Sequence, residues 1–131
     1  MNTEMKNGFK ANNFSATSKD WGWLTVLWAS STEDDYFYLM FQRAYEFTEG
    51  DIRFGWDKPY IEYCDQGWSW YGHMLSVKLQ RESISIQMDK EAASDNDGQL
   101  EITFNLDDRE YQKLEHALEN TFDGFDYYQK T

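Results

Sequence analysis

Polar and apolar residues alternate along most of this chain. In QLEITFNL, residues 99–106, Leu100, Ile102, Phe104 and Leu106 fall on one side and polar residues on the other, the period of a strand with one buried face. Residues 82–88 repeat the pattern with Ile84, Ile86 and Met88, and just before them Leu75, Val77 and Leu79 alternate with Ser76, Lys78 and Gln80. Arg81, Glu82 and Ser83 join the two runs, so 74–80 and 83–89 are predicted to form a hairpin. Upstream, YFYLMFQRAYEF at 36–47 puts Phe37, Leu39, Phe41, Tyr45 and Phe47 on one face, with Arg43 the exception, and Tyr36, Tyr38 and Met40 on the other. WLTVLWAS at 23–30 is apolar on both faces, which predicts a central or twice-covered strand. Trp21, Trp23 and Trp28, in or just before it, are accordingly assigned to the core. A short strand is expected at 59–64, where Pro59 takes the first position, and a weaker one at 8–16.

The period changes clearly once. Asp107 followed by Glu110 has the spacing of a capping box, and Tyr111, Leu114, Ala117, Leu118 and Phe122 then recur at helical spacing. Gly124 stands where a left-handed C-cap belongs. KEAASDNDG, at 90–98, reads as a helical turn followed by a loop. The predicted fold class is α+β: a mostly antiparallel sheet of about six or seven strands, with one C-terminal helix at about 107–122 packed on one apolar face. A closed barrel is the rival arrangement. Residues 1–131 are expected to form a single domain, since that length buries roughly two thirds of its unfolded surface without disulfides or metal.

Composition narrows the function. The formal net charge of −12 disfavours binding to nucleic-acid phosphates or to an anionic membrane. It favours a cationic partner, whose encounter an acidic field accelerates. Residues 33–66 concentrate the acids, nine of them against Arg43, Arg53 and Lys58. Cys64 is the single cysteine, which suits a reducing cytoplasm and leaves no intrachain disulfide to form. The first residues, MNTEMKNGFK, lack the apolar run of a signal peptide, and no stretch has the length of a membrane span.

Signals of catalysis are weak. There is no glycine-rich phosphate loop and no His-x-x-x-His spacing. His73 is close in sequence to Cys64 and Asp65 across a turn, which is not triad geometry, and His116 sits alone on the predicted helix with its side chain toward solvent. No catalytic residue, metal or cofactor is therefore assigned. The segment DQGWSWYGH at 65–73 is the most unusual in composition. It is expected to be a corner between strands, with Gly67 and Gly72 supplying positive φ or close backbone approach. Trp68 and Trp70, two residues apart, then project to the same side. They either cap the core or, with Asp65 and His73, face a partner. Trp and Tyr with a rim of acids suit a protein–protein interface. An aromatic-lined site for a small molecule or glycan is the alternative.

The stretch FQRAYEFTEGDIRFGWDKPYIEYCDQGWSWYGH at 41–73 resembles the Imm10 family of bacterial immunity proteins, found with polymorphic and contact-dependent toxin systems. The resemblance rests on Arg43, Glu46, Glu49 and Asp51 in order, on Gly55-x-Asp57 leading to Tyr60-Ile61-Glu62, and most sharply on Gln66 to His73. It extends more loosely over 35–122. It implies a cytoplasmic, non-enzymatic inhibitor that binds the C-terminal domain of a cognate toxin, a basic domain such as a nuclease, and blocks it sterically and electrostatically. A signature shared across a family is expected to preserve the fold, because immunity interfaces diversify with their toxins. The acidic loops 31–35 and 48–58 are then the preferred contacts, and Glu33, Asp34, Asp35, Glu46, Glu49, Asp51 and Asp57 are assigned as toxin-binding candidates. Asp65, Trp68 and Trp70 complete the set.

Overall fold

A computed structural model describes residues 8–30, 36–92 and 97–131. Its strands are β1 (Gly8–Lys10), β2 (Asn13–Ser18), β3 (Gly22–Ser30), β4 (Tyr36–Ala44), β5 (Tyr60–Tyr63), β6 (Asp65–Tyr71), β7 (Met74–Gln80), β8 (Ser83–Met88), β9 (Gln99–Thr103) and β10 (Tyr128–Lys130). Two helices join them, α1 (Glu49–Phe54) and α2 (Asp108–Thr121). The fold is α+β, as the sequence predicts. The ten strands form two five-stranded sheets, not one sheet of six or seven and not a closed barrel. Their orders are β1-β9-β8-β7-β10 and β2-β3-β4-β5-β6. All pairings are antiparallel except the two short edge strands, β1 on β9 and β10 on β7, which run parallel to their neighbours.

Alternation decides which side chains meet. Val77, Leu79, Ile84, Ile86, Leu100 and Ile102 line the inner face of the first sheet. Leu27, Leu39, Phe41, Ile61 and Tyr63 line the inner face of the second, and all belong to one core. Each such buried side chain contributes on the order of 1.5–3 kcal/mol. The helix α2 packs against β2, β3 and β4, where Leu114, Ala117, Leu118 and Thr121 are buried. Its start is the predicted capping box, with Asp107 accepting from the Glu110 amide and Glu110 accepting from the Asp107 amide. Its end differs from the prediction. The C-cap is Phe122 at φ −103°, and Gly124, at φ +86°, lies two residues further on. Arg43 serves the exposed carbonyls instead: Nη1 donates to the carbonyls of Asn120, Thr121 and Asp123. Its guanidinium also lies 5.1 Å from the Phe47 ring and 5.4 Å from that of Phe125. The one charged residue in the inward row of β4 thus supplies the cation that the last turn of α2 lacks.

Other expectations need correcting. Residues 65–71 are a strand, not a corner: β6 follows β5 after Cys64 alone, at φ +62°, and the turn comes at Gly72 and His73, at φ +77° and +63°. Gly67 lies inside that strand, and its amide donates to Asp65 Oδ1 at 2.8 Å. Leu75 is 61% exposed although it stands in the apolar series, because a register shift between Met74 and Ser76 turns it outward and buries Met74. Tyr45 lies past the end of β4 and is exposed. Of the expected strand at 8–16, two pieces form, β1 and β2, one in each sheet.

Candidate functional site

The first sheet and α2 lie on the inner side of the second sheet, whose outer face has no described element packed over it. Val26, Trp28, Tyr38, Met40 and Tyr60 point outward there and are half-buried. β3 is thus a central strand, one of the two readings of 23–30, and its apolar second face is open, not twice covered. Trp28 leaves the core for it, and Trp21 is exposed outright. Trp23 is half-buried, its ring 5.5 Å from that of His116, itself exposed.

The end of this face carries α1, a helix with no buried residue. Packing does not explain so short a helix; capping does. Thr48 accepts from the Asp51 amide, Asp51 accepts from the Thr48 amide, and Gly55 at φ +75° closes the other end. The result holds Ile52 58% and Phe54 63% exposed, followed by Trp56 at 47%. Phe54 stacks on Trp56 at 4.9 Å, Trp56 on Tyr71 at 5.9 Å, and Tyr71 meets Tyr60 at 5.1 Å. A cleft of about 130 Å³ between α1 and the sheet is lined by Trp21, Gln42, Phe47, Trp56 and Tyr60, among others.

Beyond Tyr60 the stripe becomes polar at a single point. Glu62 is 6% exposed, and its two carboxylate oxygens each accept one phenol: Tyr38 at 2.5 Å on Oε2 and Tyr60 at 2.6 Å on Oε1. Burial, and next the hydrogen bond to Glu62, push both phenols above their ordinary pKa. The charge of Asp65 adds to the effect on Tyr38. Tyr38 pairs with Trp28 across β3 and β4, so aromatic residues run from Phe54 to Trp28 across the sheet with Glu62 set among them. An open depression of about 350 Å³ lies at that end, lined by Ser15, Val26, Trp28, Tyr38, Met40 and Glu62.

The assigned candidates separate into groups. Glu49 and Asp51 lie in α1, and Glu46 and Asp57 flank it in sequence; the Asp51 side chain also accepts from the amide of the N-cap residue Thr48, and Asp57 lies 3.7 Å from Lys58. Asp65 is exposed at the start of β6. Trp68 and Trp70 share the opposite side of that strand and pack on the core, Trp68 edge-on to Tyr63 at 6.1 Å and Trp70 against His73 at 4.8 Å. His73 in turn lies 2.9 Å from Asp89. Glu33, Asp34 and Asp35 lie outside the described residues. Sequence reasoning missed Ile52, Phe54, Trp56, Tyr71, Tyr60, Glu62, Tyr38 and Trp28. Thr48-Glu49-Gly50-Asp51 has the spacing of a capping box and could have revealed α1.

Among the described residues no cluster of His, Cys, Asp or Glu is arranged to hold a metal ion, and no helix is long and apolar enough to cross a membrane. A half-exposed aromatic stripe thus crosses an open sheet face, with acidic residues in and beside the helix at its end. The sequence model of immunity protein 10, Imm10, matches residues 10–112, and the chain belongs to that immunity-protein family. The match reaches into the N-terminal segment, where the resemblance in the residues themselves was not legible. No curated protein and no solved structure matches the chain.

Proposed function

We propose that the chain, as one domain in the cytoplasm, binds the C-terminal domain of a cognate toxin and neutralises it by covering a basic surface, without turnover. The observation that carries this reading is the exposed run Ile52, Phe54 and Trp56, with Trp56 stacked on Tyr71 and with Glu46, Glu49, Asp51 and Asp57 in and beside α1. Aromatic anchors inside a polar rim are the anatomy of a protein contact. The net charge of −12 suits a basic partner, and a nuclease, whose surface meets phosphates, is the partner class it suits best. A small-molecule or glycan site is less well supported: the cleft beneath Trp56 holds about 130 Å³, below the roughly 300–1,000 Å³ usual for ligand pockets, and the larger depressions, about 350 Å³ at Trp28 and about 480 Å³ on the outer face of β7–β9, are open to solvent.

The test pairs the protein with the C-terminal domain of the toxin encoded beside it. Co-expression is expected to restore survival and yield a stable complex. Reversal of Glu46, Glu49 and Asp57 to lysine is expected to slow association and flatten its salt dependence. Absence of both protection and complex would refute the immunity reading for that pair. Protection untouched by the reversals would remove the acidic rim from the interface.

A further inference from the structure

On the three central strands of the second sheet, β3, β4 and β5, the described outward side chains include one charge, Glu62. A carboxylate this buried normally has a cation beside it, because taking an ion out of water is costly unless its charge is compensated. Glu62 forms no ion pair with any described residue. Its nearest partners are neutral phenols, one on each oxygen. An ionised carboxylate accepts about four hydrogen bonds, so each oxygen keeps accepting capacity. Both phenols donate, which fixes the group as an acceptor facing the depression lined by Trp28, Tyr38 and Met40. The chemistry gathered there is a fixed anion, an indole, a thioether and apolar Val26, with no competing cation.

We propose that this depression receives an arginine side chain of the partner toxin, its guanidinium paired with Glu62 and lying against Trp28. This rests on the immunity reading and names the partner group that the outer face takes. Arginine fits better than lysine. Its planar fork matches a carboxylate with both oxygens presented, it stacks on aromatic faces, and it sheds water more readily than an ammonium. Seating it would neutralise the one buried charge of the face, and would fix the register of a partner whose other contacts fall on Trp56 and Phe54.

Two titrations test the proposal. In the first, N-acetyl-arginine amide is added to the protein while the Trp28 indole N–H is followed by NMR, with N-acetyl-citrulline amide as the neutral isostere. The expected result is a saturable shift with the arginine amide only, weakened about tenfold or more in Glu62→Gln. A several-fold weakening is expected in Trp28→Leu, which keeps the carboxylate. An equal response to citrulline, or an unchanged response in Glu62→Gln, would overturn the pocket. In the second titration the toxin's C-terminal domain is the probe. Glu62→Gln is expected to weaken the complex about ten- to a hundredfold while the Tm stays level or rises, since a buried charge has been removed. A complex of wild-type strength in Glu62→Gln would overturn this inference alone. Failure of the wild-type protein to bind the toxin would overturn the immunity reading, and with it the toxin as donor of the arginine; the amide titration separates that failure from a pocket that takes no guanidinium.

Discussion

The two faces of the β2–β6 sheet use the same residue types for opposite ends. The strand DQGWSWY shows the contrast within a few residues: Trp68 and Trp70 turn inward onto Tyr63 and Ile61, while Ser69 and Tyr71 turn outward toward Glu62 and Tyr60. Inward, the aromatics join a core shared with the other sheet and α2. Outward, they stack on one another and remain half in water. What separates the faces is what lies opposite. A side chain that meets a second layer stabilises the fold; one that meets only its neighbours is left to be covered by something else.

The largest expected effect of breaking this contrast is on the inner face. Phe41→Ala removes a fully buried ring that meets Phe122 edge-on at 5.4 Å. It should cost about 3–5 kcal/mol of stability by urea unfolding. Arg43→Met comes next, because it strips three carbonyls at the end of α2 of their donor. A loss of about 1.5–3 kcal/mol is expected, with faster hydrogen exchange in the last turn of the helix; unchanged exchange there would contradict the capping role.

The smallest effect depends on pH. Burial raises the phenol of Tyr63 on the inner face, as it raises those of Tyr38 and Tyr60 on the outer one. The folded state therefore holds protons that the unfolded chain releases near pH 10. This stabilisation is fully present below that value and is lost as pH rises toward the higher folded pKa values. The urea midpoint should fall steadily above about pH 10, and Tyr63→Phe should reduce that slope. A slope unaltered in the variant would remove Tyr63 from the account.

Where one local rule governed, the sequence was legible. The β7–β8 hairpin and β9 follow from strict alternation, and α2 from a capping box ahead of helical spacing. What escaped depends on partners distant in sequence or on very short segments. The three-residue β10 draws its place from parallel pairing with β7, and the bulge at Leu75 breaks an alternation that looked regular. The apolar second face of β3 was visible, but not whether a layer covers it; that depends on where α2 and the first sheet go. The acids near α1 were identified by charge, whereas the aromatics among them were not, because a six-residue helix shows no periodicity.

The most direct test compares two double variants against the cognate toxin domain by calorimetry, with thermal unfolding alongside. Phe54→Ala with Trp56→Ala should cost about 2 kcal/mol or more of binding and leave stability within about 0.5 kcal/mol. Trp68→Phe with Trp70→Phe should lower the Tm and leave the affinity of the folded protein unchanged. The reverse pattern, binding lost with the inner pair and kept without the outer one, would contradict the assignment of the outer face as the contact surface.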